Sequence, residues 1–551
     1  MKTLNWLLIC FLFSPFFLKA QYLISDSLIL DFTKAEVDSY MVAQGIPANP
    51  LVPVNYGVKA YKIVYNTVNS RGTGNTIASG LFIVPQNVPC PLPLGCYNHG
   101  TINYRFDVPS RISYETPIGI VFSSDGYATA MPDYLGLGDS PGMHPYVHAK
   151  SEATATRDML RACREFCANN NIALNGQIFL TGYSQGGHAA MATQRELETF
   201  HANEFTVTAC APLSGPYDIS GKQKDFLVAN TPYPDPSYLP YVMFAYQDVY
   251  GTFYDSVQEV IVSPYDTLLP PLFDGTYNTG QINAVMPSVP KLILVPQVLA
   301  DFQADTNHFF NVALKDNDTW RGWIPRAPIL MTYCEGDKAV NYENAIVARD
   351  RLIAAGGQNV VARSGGANND HGGCVTPALL NAKLFFDGYR KRENNLAVQL
   401  IGDGESVPGA SDAGALASVS GGTGYTIQWS NGENDSLITG LQNGEYTVTV
   451  TDSNGCAKTA TITLGTTGIN DAANKWIRVY PNPAETYVLI DWQTDYKVES
   501  IVLMDLTGRK IYQLEPTLQP IQMDRKSLPA GVYIVEIKVG ESIVREKVLF
   551  Q

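Results

Sequence analysis

Up to about residue 395, short runs of apolar and β-branched residues alternate with longer segments whose apolar residues recur at helical spacing. This alternation predicts strands and helices in turn, and therefore an α/β layer fold. The predicted strands cover residues 58–67, 77–84, 177–180, 206–211 and 329–333. The predicted helices cover residues 151–167, 187–198, 342–355 and 376–390.

The alternation stops between about residues 215 and 325, where Tyr, Pro and Phe are concentrated. A stretch of this length without the rhythm of its surroundings predicts an insertion into the parent fold. In an enzyme, such an insertion commonly forms a cap or lid over the active site. We therefore expect an α/β domain at residues 21–394 that carries a large cap insertion.

The composition changes after about residue 395. Residues 395–466 are dominated by Gly, Ser, Thr and Asn, and their apolar runs are bounded by NG and SNG turns. This pattern is typical of short strands joined by hairpins. A short linker then leads to residues 475–551, which again have the pattern of strands. The sequence predicts two small, all-β, sandwich-like domains after the α/β domain.

The first twenty residues have the features of an export signal. Lys2 is followed by an apolar stretch that ends in Leu18-Lys19-Ala20. These features predict a secretory signal peptide at residues 1–20 that is cleaved near Ala20. The stretch falls short of the roughly 20 apolar residues that span a bilayer, and no later segment is long enough. The mature chain is expected to be exported and to lack a transmembrane segment.

The composition excludes two classes of protein. Lys and Arg number 38 against 52 Asp and Glu, a formal net charge of −14, which lacks the basic footprint of a nucleic-acid-binding protein. Hydrophobic residues make up 45% of the chain and aromatic residues 11%, which is enough apolar material for folded cores. We therefore expect no nucleic-acid partner and no largely disordered chain.

Cysteines could form disulfides in an exported chain, but their spacing specifies no pairing. The chain has nine cysteines, and Cys10 lies in the predicted signal peptide. Cys90 and Cys96 could close a small loop, and Cys163 and Cys167 could face the same side of a helix. Unpaired, buried cysteines are an equal alternative. No CxxC pair is present, so a zinc site is not expected.

The strongest chemical signal is the segment Thr181-Gly182-Tyr183-Ser184-Gln185-Gly186-Gly187, which contains a GxSxG pattern. The pattern alone is weak, but here a predicted strand enters it and a predicted helix leaves it. That context predicts a sharp strand–turn–helix that exposes the Ser184 hydroxyl as a nucleophile. The dipole at the start of the helix would favour negative charge developing nearby.

A serine nucleophile needs a base, and the nucleophile elbow of an α/β-hydrolase is followed by the acid and then by the histidine. Three histidines follow the serine at a useful distance: His201, His308 and His371. His201 belongs to the end of the helix after Ser184, and His308 belongs to the insertion. His371 precedes the last helix of the α/β domain, where the base is expected.

The acid is expected at the end of a late strand. Asp337 follows the predicted strand at 329–333, and its role would be to orient the imidazole of His371 and stabilise its charged form. Glu335 is the alternative. Asp370 is too close in sequence to His371 to reach the far nitrogen easily. An oxyanion hole would use the backbone N–H of Gln185 and a donor from the loop His99-Gly100-Thr101, after an early strand.

One other pattern could suggest a metal site, but its details argue against one. His144 and His148 are four residues apart, a spacing that can bring two ligands to one face of a helix. Pro145 lies between them and no HExxH glutamate is present, so we predict no metal and no other cofactor. Asp133 and Asp139 are expected to shape a loop near the pocket.

Six motifs in the predicted order resemble a known family: 99–101 (HGT), 126–140 (GYATAMPDYLGLGDS), 144–162 (HPYVHAKSEATATRDMLRA), 182–190 (GYSQGGHAA), 335–340 (EGDKAV) and 370–374 (DHGGC). Residues 30–392 resemble bacterial relatives of the fungal secretory lipases, α/β-hydrolases with a substantial cap. The resemblance implies a carboxylic-ester hydrolase with the triad Ser184, Asp337 and His371. It also implies Gln185 and Thr101, or Gly100 in its place, as oxyanion donors.

The end of the chain resembles two other families. Residues 410–465 are similar to an adhesin-type repeat of gliding-motility surface proteins. The segments 479–484 (VYPNPA), 506–509 (LTGR), 528–537 (LPAGVYIVEI) and 547–551 (KVLFQ) resemble the C-terminal sorting domain of the type IX secretion system. That resemblance implies export by the type IX machinery of a Gram-negative cell, removal of the last domain, and release or attachment to the surface.

Taken together, these features predict a secreted serine carboxylesterase or lipase that forms an acyl-enzyme on Ser184 with a small-molecule or lipid ester. A serine peptidase of the prolyl-oligopeptidase type shares the elbow and the order of the triad, but its amino-terminal domain has no room before residue 90. A catalytically inactive surface adhesin is the alternative from another class, and the intact Ser184, Asp337 and His371 oppose it.

Overall fold

The computed structural model of the protein describes residues 21–551 except 392–395, 406–407, 422–423, 466–476, 493–496, 507, 517–518 and 541. The predicted signal peptide and the predicted linker lie outside the described residues. The chain divides into two compact units. The first runs through Ala397 and includes Ser420–Thr426 and Thr451–Lys458, and the second holds Val398–Val419, Ile427–Val450 and Thr459–Gln551.

The first unit is built on a nine-stranded sheet in the order β1-β2-β3-β5-β4-β6-β7-β8-β9. Its strands are β1 (Leu23–Phe32), β2 (Val58–Val68), β3 (Asn75–Pro85), β4 (Leu92–Asn98), β5 (Ala128–Pro132), β6 (Leu174–Tyr183), β7 (Val207–Leu213), β8 (Ile329–Tyr333) and β9 (Val360–Ser364). The pairs from β1 to β3 and from β3 to β5 are antiparallel. The pairs from β5 through β9 are parallel, so those strands end at one edge.

Helices cover both faces of this sheet because successive side chains of a strand point to opposite faces. On one face, Leu180 of β6 shares a buried cluster with Met159 and Leu197. On the other face, Phe179 packs with Phe122 and Phe386. The helices of the α/β framework are α1 (Lys34–Ala43), α2 (Thr116–Ser124), α3 (Ala149–Asn169) and α4 (Gln185–Phe200), with two more after β8.

The stretch between β7 and β8 holds the segment predicted as a cap. It contains six short helices: α5 (Lys224–Leu227), α6 (Tyr238–Tyr250), α7 (Tyr265–Leu268), α8 (Thr279–Asn283), α9 (Pro296–Ala304) and α10 (Phe309–Asp316). Apolar side chains of this stretch, among them Tyr241, Phe273 and Phe310, form a buried cluster that Tyr146 and Val147 join. After β8, α11 (Glu343–Ala354) and α12 (Val375–Asp387) complete the framework.

The rest of the described chain is made of small sheets. Its strands are β10 (Ala397–Asp403), β11 (Ala413–Ser420), β12 (Tyr425–Trp429), β13 (Leu437–Leu441), β14 (Gly444–Asp452), β15 (Ala457–Leu464), β16 (Ile477–Tyr480), β17 (Tyr487–Trp492), β18 (Val498–Met504), β19 (Lys510–Leu514), β20 (Ile521–Asp524), β21 (Gly531–Val539) and β22 (Ser542–Phe550). They form the sheets β10-β11-β13, β12-β14-β15, β16-β17-β20 and β19-β18-β21-β22. The last two enclose one apolar core, which includes Val488, Ile501 and Val535.

The cysteines pair differently from the two possibilities that spacing suggested. Disulfides join Cys90 to Cys456 and Cys334 to Cys374. The four remaining described cysteines, Cys96, Cys163, Cys167 and Cys210, are buried free thiols. The Cys90–Cys96 loop does not form because the two residues lie on either side of the start of β4. None of the described helices has the length and apolar character that crossing a membrane requires.

Candidate active site

Ser184 occupies the sharp turn between β6 and α4. Its φ of 59° and ψ of −120° lie where a residue with a side chain is strained. The backbone N–H of Ser184 donates to the carbonyl of Leu213 at 2.9 Å, which fixes the turn against β7. Ser184 is 6% exposed. The predicted strand–turn–helix is therefore present, with the serine at its apex.

Glycines after the serine let the helix approach the sheet. A Cβ on Gly186 would lie 2.6 Å from the carbonyl carbon of Asn98, at the end of β4. A Cβ on Gly187 would lie 3.0 Å from the backbone nitrogen of Leu213. Any side chain at either position would push α4 away from the strands. The GxSxGG spacing thus reflects close packing as well as the turn itself.

His371 and Asp337 form the second part of the site. His371 Nδ1 lies 2.6 Å from Asp337 Oδ2, and the Asp337 side chain is 1% exposed. The other oxygen, Oδ1, accepts the backbone N–H groups of Ala339 and Val340, both at 2.9 Å. These bonds leave the carboxylate one direction in which to accept from the imidazole. The arrangement orients the histidine ring, and Nε2 has no hydrogen-bond partner among the residues that the structure describes.

The loop that carries His371 is held at two further points. The Tyr183 hydroxyl donates to the His371 carbonyl at 2.5 Å, and the two rings lie 5.0 Å apart. The disulfide between Cys334 and Cys374 joins the end of β8 to the start of α12. The residue before the serine and the strand before the aspartate therefore both hold the histidine loop.

The alternative acids and bases from the sequence lie elsewhere. Glu335 accepts from the Ser364 hydroxyl at 2.7 Å, and Asp370 accepts the Gly373 backbone N–H at 2.7 Å. His201 contacts Glu196 at the end of α4, and His308 lies against Phe309 in the cap. Of the three candidate acids, Asp337, Glu335 and Asp370, only Asp337 hydrogen-bonds the His371 ring within the part of the chain that the structure describes.

The serine and the histidine are not hydrogen-bonded to each other in this structure, as far as the described residues go. Catalytic hydrogen bonds in unliganded enzymes are often long and shorten when substrate binds. The carbonyl of Tyr183 and the Cβ of Ser184 lie 3.5 and 3.9 Å from a Cβ built on Gly100. The loop 99–101 therefore reaches the serine, as the sequence predicted.

Gly100 and Thr101 differ in what their backbone N–H groups do. The Gly100 N–H donates to both oxygens of Glu115, at 3.2 and 3.3 Å. The Thr101 N–H has no acceptor among the described residues, and the same holds for the N–H of Gln185, the first residue of α4. The first N–H groups of a helix lack partners within the helix. Gln185, directly after the serine, and Thr101, directly after the Gly100 that approaches it, thus each keep an open donor.

A cavity opens on Ser184 and Gln185. Its lining includes the tyrosines Tyr146, Tyr233 and Tyr238, and the Tyr146 hydroxyl lies 2.9 Å from the Thr101 hydroxyl. The lining also includes the aliphatic side chains of Ile219, Leu227 and Val242. The cap supplies most of this lining.

A second cavity shares Ile219, Leu227 and Val242 with the first. The other residues that line it are Lys224, Val228, Leu239, Met243, Leu294, Val298, Phe302, Phe310 and Leu314. Lys224 turns its ammonium group to Asn311 Oδ1 at 3.1 Å, so the wall itself is hydrocarbon. The cap therefore holds an apolar space next to the serine.

The two histidines considered as metal ligands have other partners. His144 Nδ1 lies 2.8 Å from the Leu135 carbonyl, and its Nε2 lies 2.7 Å from Gln185 Nε2. His148 Nδ1 lies 3.0 Å from the Ser151 hydroxyl. Within the described ranges, no group of His, Cys, Asp and Glu is arranged to hold a metal ion.

A buried network behind the serine was not predicted from the sequence. Glu152 of α3 contacts both Gln185 and His188 of α4. A glutamate on a helix is ordinarily solvated, and only the packing of α3 on α4 buries this one. The sequence offers only an indirect signal, because the residues next to Glu152, Ser151 and Ala153, are small and uncharged.

The mixed sheet with helices on both faces and the strand–turn–helix at Ser184 are those of the α/β-hydrolase fold, so the predicted fold class is confirmed. Residues 111–217 match the secretory lipase family. Residues 478–551 match the secretion system C-terminal sorting domain. These matches confirm both resemblances, whereas the adhesin-type repeat at 410–465 stays a prediction. No curated protein has a sequence that matches this chain.

Three solved structures illustrate the likeness. A Legionella pneumophila protein described as a hydrolase is 29% identical, with a TM-score of 0.62 over 68% of this chain and 99% of that one. The ligand-bound rice cell wall degrading esterase LipA of Xanthomonas oryzae is 27% identical, with a TM-score of 0.58 over 67% and 99%. Candida antarctica lipase A shares the fold, at 15% identity and a TM-score of 0.51 over 67% and 83%.

The family match and these neighbours support a hydrolase that acts on esters, of the esterase and lipase class. The sorting domain indicates type IX secretion, to the cell surface or the extracellular space. The type IX machinery is accordingly a partner of this chain. The predicted location and the coarse class of the enzyme are thus confirmed.

Proposed function

We propose that this protein is a secreted serine carboxylic-ester hydrolase, of the carboxylesterase and lipase class, in which Ser184, Asp337 and His371 form the catalytic triad. The observation that carries the proposal is the 2.6 Å contact between Asp337 Oδ2 and His371 Nδ1, in a protein whose Ser184 stands at a strained strand–turn–helix. Two features support these roles. Asp337, whose side chain is 1% exposed, orients the imidazole of His371, and Ser184 lies at the strand–turn–helix where a nucleophile is expected.

The reaction proceeds through two tetrahedral intermediates. Ser184 Oγ attacks the ester carbonyl carbon while His371 Nε2 takes the hydroxyl proton, and Asp337 stabilises the imidazolium. Collapse of the intermediate breaks the bond to the alkoxy oxygen, which leaves as the alcohol with the proton from His371. A water molecule then attacks the acyl-enzyme with His371 again as base, releasing the carboxylic acid and restoring Ser184.

The oxyanion is stabilised by the N–H groups of Gln185 and Thr101. Both lack acceptors among the described residues, whereas the Gly100 N–H is engaged by Glu115. That difference favours Thr101 over Gly100 as the second donor. Donors fixed before the reaction cost no reorganisation when the negative charge develops. The dipole of α4 adds to this stabilisation.

The acyl group of the substrate enters the apolar space formed by the cap. The second cavity presents hydrocarbon walls, and it shares Ile219, Leu227 and Val242 with the cavity beside Ser184. Burying methylene groups there is worth about 0.8 kcal/mol each. We therefore expect kcat/KM to rise along a series of p-nitrophenyl esters from acetate to butyrate to octanoate.

The test compares three substrate types with wild type and Ser184→Ala. Hydrolysis of the p-nitrophenyl esters by wild type alone, with no release from a proline-aminoacyl nitroanilide, supports the esterase. Release of nitroaniline in preference to p-nitrophenol would point to the prolyl-oligopeptidase type. No turnover of any substrate by the secreted, folded wild type would favour an inactive adhesin.

A further inference from the structure

A buried polar network lies directly behind the proposed nucleophile and is used by none of the steps above. Glu152, on the first turn of α3, is 1% exposed. Its Oε1 accepts from Gln185 Nε2 at 2.9 Å, and its Oε2 lies 2.7 Å from His188 Nδ1. One carboxylate on α3 therefore contacts two residues in the first turn of α4, the turn that follows Ser184.

The far side of His188 is also fixed. Its ring is fully buried, and Nε2 lies 2.9 Å from the Asn317 carbonyl at the end of α10. A carbonyl only accepts, so Nε2 carries a hydrogen and donates it. A proton is then shared between Nδ1 and Glu152 Oε2, because a carboxylate and a bare ring nitrogen cannot hydrogen-bond without one. Both ring nitrogens of His188 are therefore hydrogen-bonded, one to Glu152 and the other to Asn317.

The side-chain N–H groups of Gln185 are also hydrogen-bonded. Its Nε2 donates to Glu152 Oε1 and, at 2.7 Å, to His144 Nε2. Burial lowers the pKa of His144 to about 4, which keeps its ring neutral and able to accept, while Nδ1–H donates to the Leu135 carbonyl at 2.8 Å. The two donor hydrogens of the amide have two acceptors, so the side chain of Gln185 has a single orientation.

We propose that Glu152 is a positioning residue for ester hydrolysis: it holds the first turn of α4 so that the Gln185 backbone N–H points at the oxyanion. This inference rests on the proposed function. The direction of that N–H is set by the peptide plane between Ser184, strained at a φ of 59°, and Gln185. Restraining the Gln185 side chain at two points restrains this plane. Without the restraint, the turn can relax and the donor swings away from the oxyanion.

The reaction gives this role a specific kinetic signature. The oxyanion forms in both tetrahedral intermediates, so a misplaced donor slows acylation and deacylation together. KM then stays nearly constant while kcat falls, since the lost interaction exists only in the transition states. A merely structural role for Glu152 would lower the amount of folded enzyme and leave kcat per intact site unchanged.

Two variants separate these possibilities. Glu152→Ala removes both contacts to α4. Glu152→Gln can keep both, since the new amide oxygen accepts from Gln185 and the new N–H donates to neutral His188, whose Nε2–H still faces Asn317. Asp158 on the same helix is the matched control. It is 1% exposed and bonds Thr67 at 2.8 Å, Arg157 at 2.9 Å and Arg161 at 2.8 Å, none of them in α4.

The experiment uses the full secreted chain and counts intact sites by labelling with a fluorophosphonate. Per labelled site on p-nitrophenyl butyrate, Glu152→Ala should lower kcat at least about ten-fold with KM within about three-fold, as for partial loss of an oxyanion donor. It should weaken a trifluoromethyl ketone, which forms the same oxyanion, by a similar factor. Glu152→Gln should keep at least about a third of kcat, and Asp158→Ala should leave kcat unchanged.

Wild-type kcat per labelled site in Glu152→Ala, or an equal loss in Asp158→Ala, overturns the positioning role. If Glu152→Ala does not fold, Gln185→Ala decides: it removes the anchored side chain and keeps the N–H, and a kcat equal to wild type overturns the proposal. The proposed function fails separately, when wild type hydrolyses no ester or when Ser184→Ala stays active.

Discussion

Cys334 and Cys374 form a disulfide that links the loop of Asp337 to the loop of His371, the proposed acid and base. Cys334 comes three residues before Asp337, and Cys374 comes three residues after His371. The covalent link therefore fixes the two loops that must hold a 2.6 Å contact between side chains. Export into an oxidising compartment, which the sorting domain indicates, allows this bond to form.

Removing this disulfide should lower activity as well as stability. In Cys334→Ala/Cys374→Ala, the free energy of unfolding should fall by about 2–4 kcal/mol, and kcat should fall about ten-fold at 25 °C because the acid and base loops lose their restraint. Cys90→Ala/Cys456→Ala is the matched control. It should lose stability and keep kcat, as measured by denaturant unfolding and ester hydrolysis. Equal kcat in the two double variants would contradict the restraint.

Asp337→Asn should lower kcat by several orders of magnitude while KM changes little. An amide can hold the imidazole in the wrong tautomer and cannot stabilise its charged form. Glu335→Gln is the control two residues earlier, and it should be nearly normal, because Glu335 bonds Ser364 and not His371. Steady-state kinetics on a soluble ester decide the matter. A crippled Glu335→Gln beside a normal Asp337→Asn would reassign the acid.

Two buried histidines should make the hydrolase unit sensitive to acid. Burial lowers the pKa of both His144 and His148 to about 4, against about 6.5 in the unfolded chain. Between these values the unfolded state binds more protons, so stability is full above pH 6.5 and falls as the pH drops toward 4. Each histidine can contribute up to about 3 kcal/mol to this loss.

His148→Gln should flatten that dependence. The free energy of unfolding is measured in guanidinium chloride at pH 7, 6 and 5, using the transition that coincides with loss of esterase activity. The variant should lose less stability than wild type between pH 7 and pH 5, whatever its absolute stability. If the free energy of unfolding of the variant falls with pH as steeply as that of wild type, His148 titrates alike in the folded and unfolded states.

Removing the sorting domain should change location and not chemistry. The described residues of 478–551 enclose their own apolar core, and the last histidine of the chain is His371. A chain that ends at residue 465 retains Cys456 and its disulfide, and its kcat/KM on a soluble ester should stay within about three-fold. In the native host it should accumulate in the periplasm. Activity of the truncated chain in the medium would show that another segment directs export.

The framework of the fold could be read from the sequence where strands are buried. The strand predicted at 329–333 matches β8, and the helix predicted at 342–355 differs from α11 by one residue at each end. The strand predicted at 177–180 is longer in the structure, because pairing with β4 and β7 extends β6 to Leu174–Tyr183. Strand β1 was missed because it is mostly exposed and Ser25-Asp26-Ser27 interrupts its apolar residues.

The site could be predicted in part for a physical reason. The GxSxG turn has strict steric demands, and the order of nucleophile, acid and base is that of the fold, so the proposed Ser184, Asp337 and His371 could be named from the sequence. The Cys90–Cys456 bond, with a separation of 366 residues, has no signal in local spacing. Glu152 was not reachable either, because a helical glutamate becomes buried only through the packing of α3 on α4.

The most direct test of the account is to trap the acyl-enzyme. Wild type is mixed with p-nitrophenyl butyrate, quenched in acid within the first turnover and digested, and the peptide that contains Ser184 is measured by mass spectrometry. The account predicts a butyryl group on Ser184, with a burst of p-nitrophenol stoichiometric with labelled enzyme, and neither in Ser184→Ala. Turnover by Ser184→Ala at more than about a tenth of wild-type kcat, or an acyl group on another residue, would contradict it.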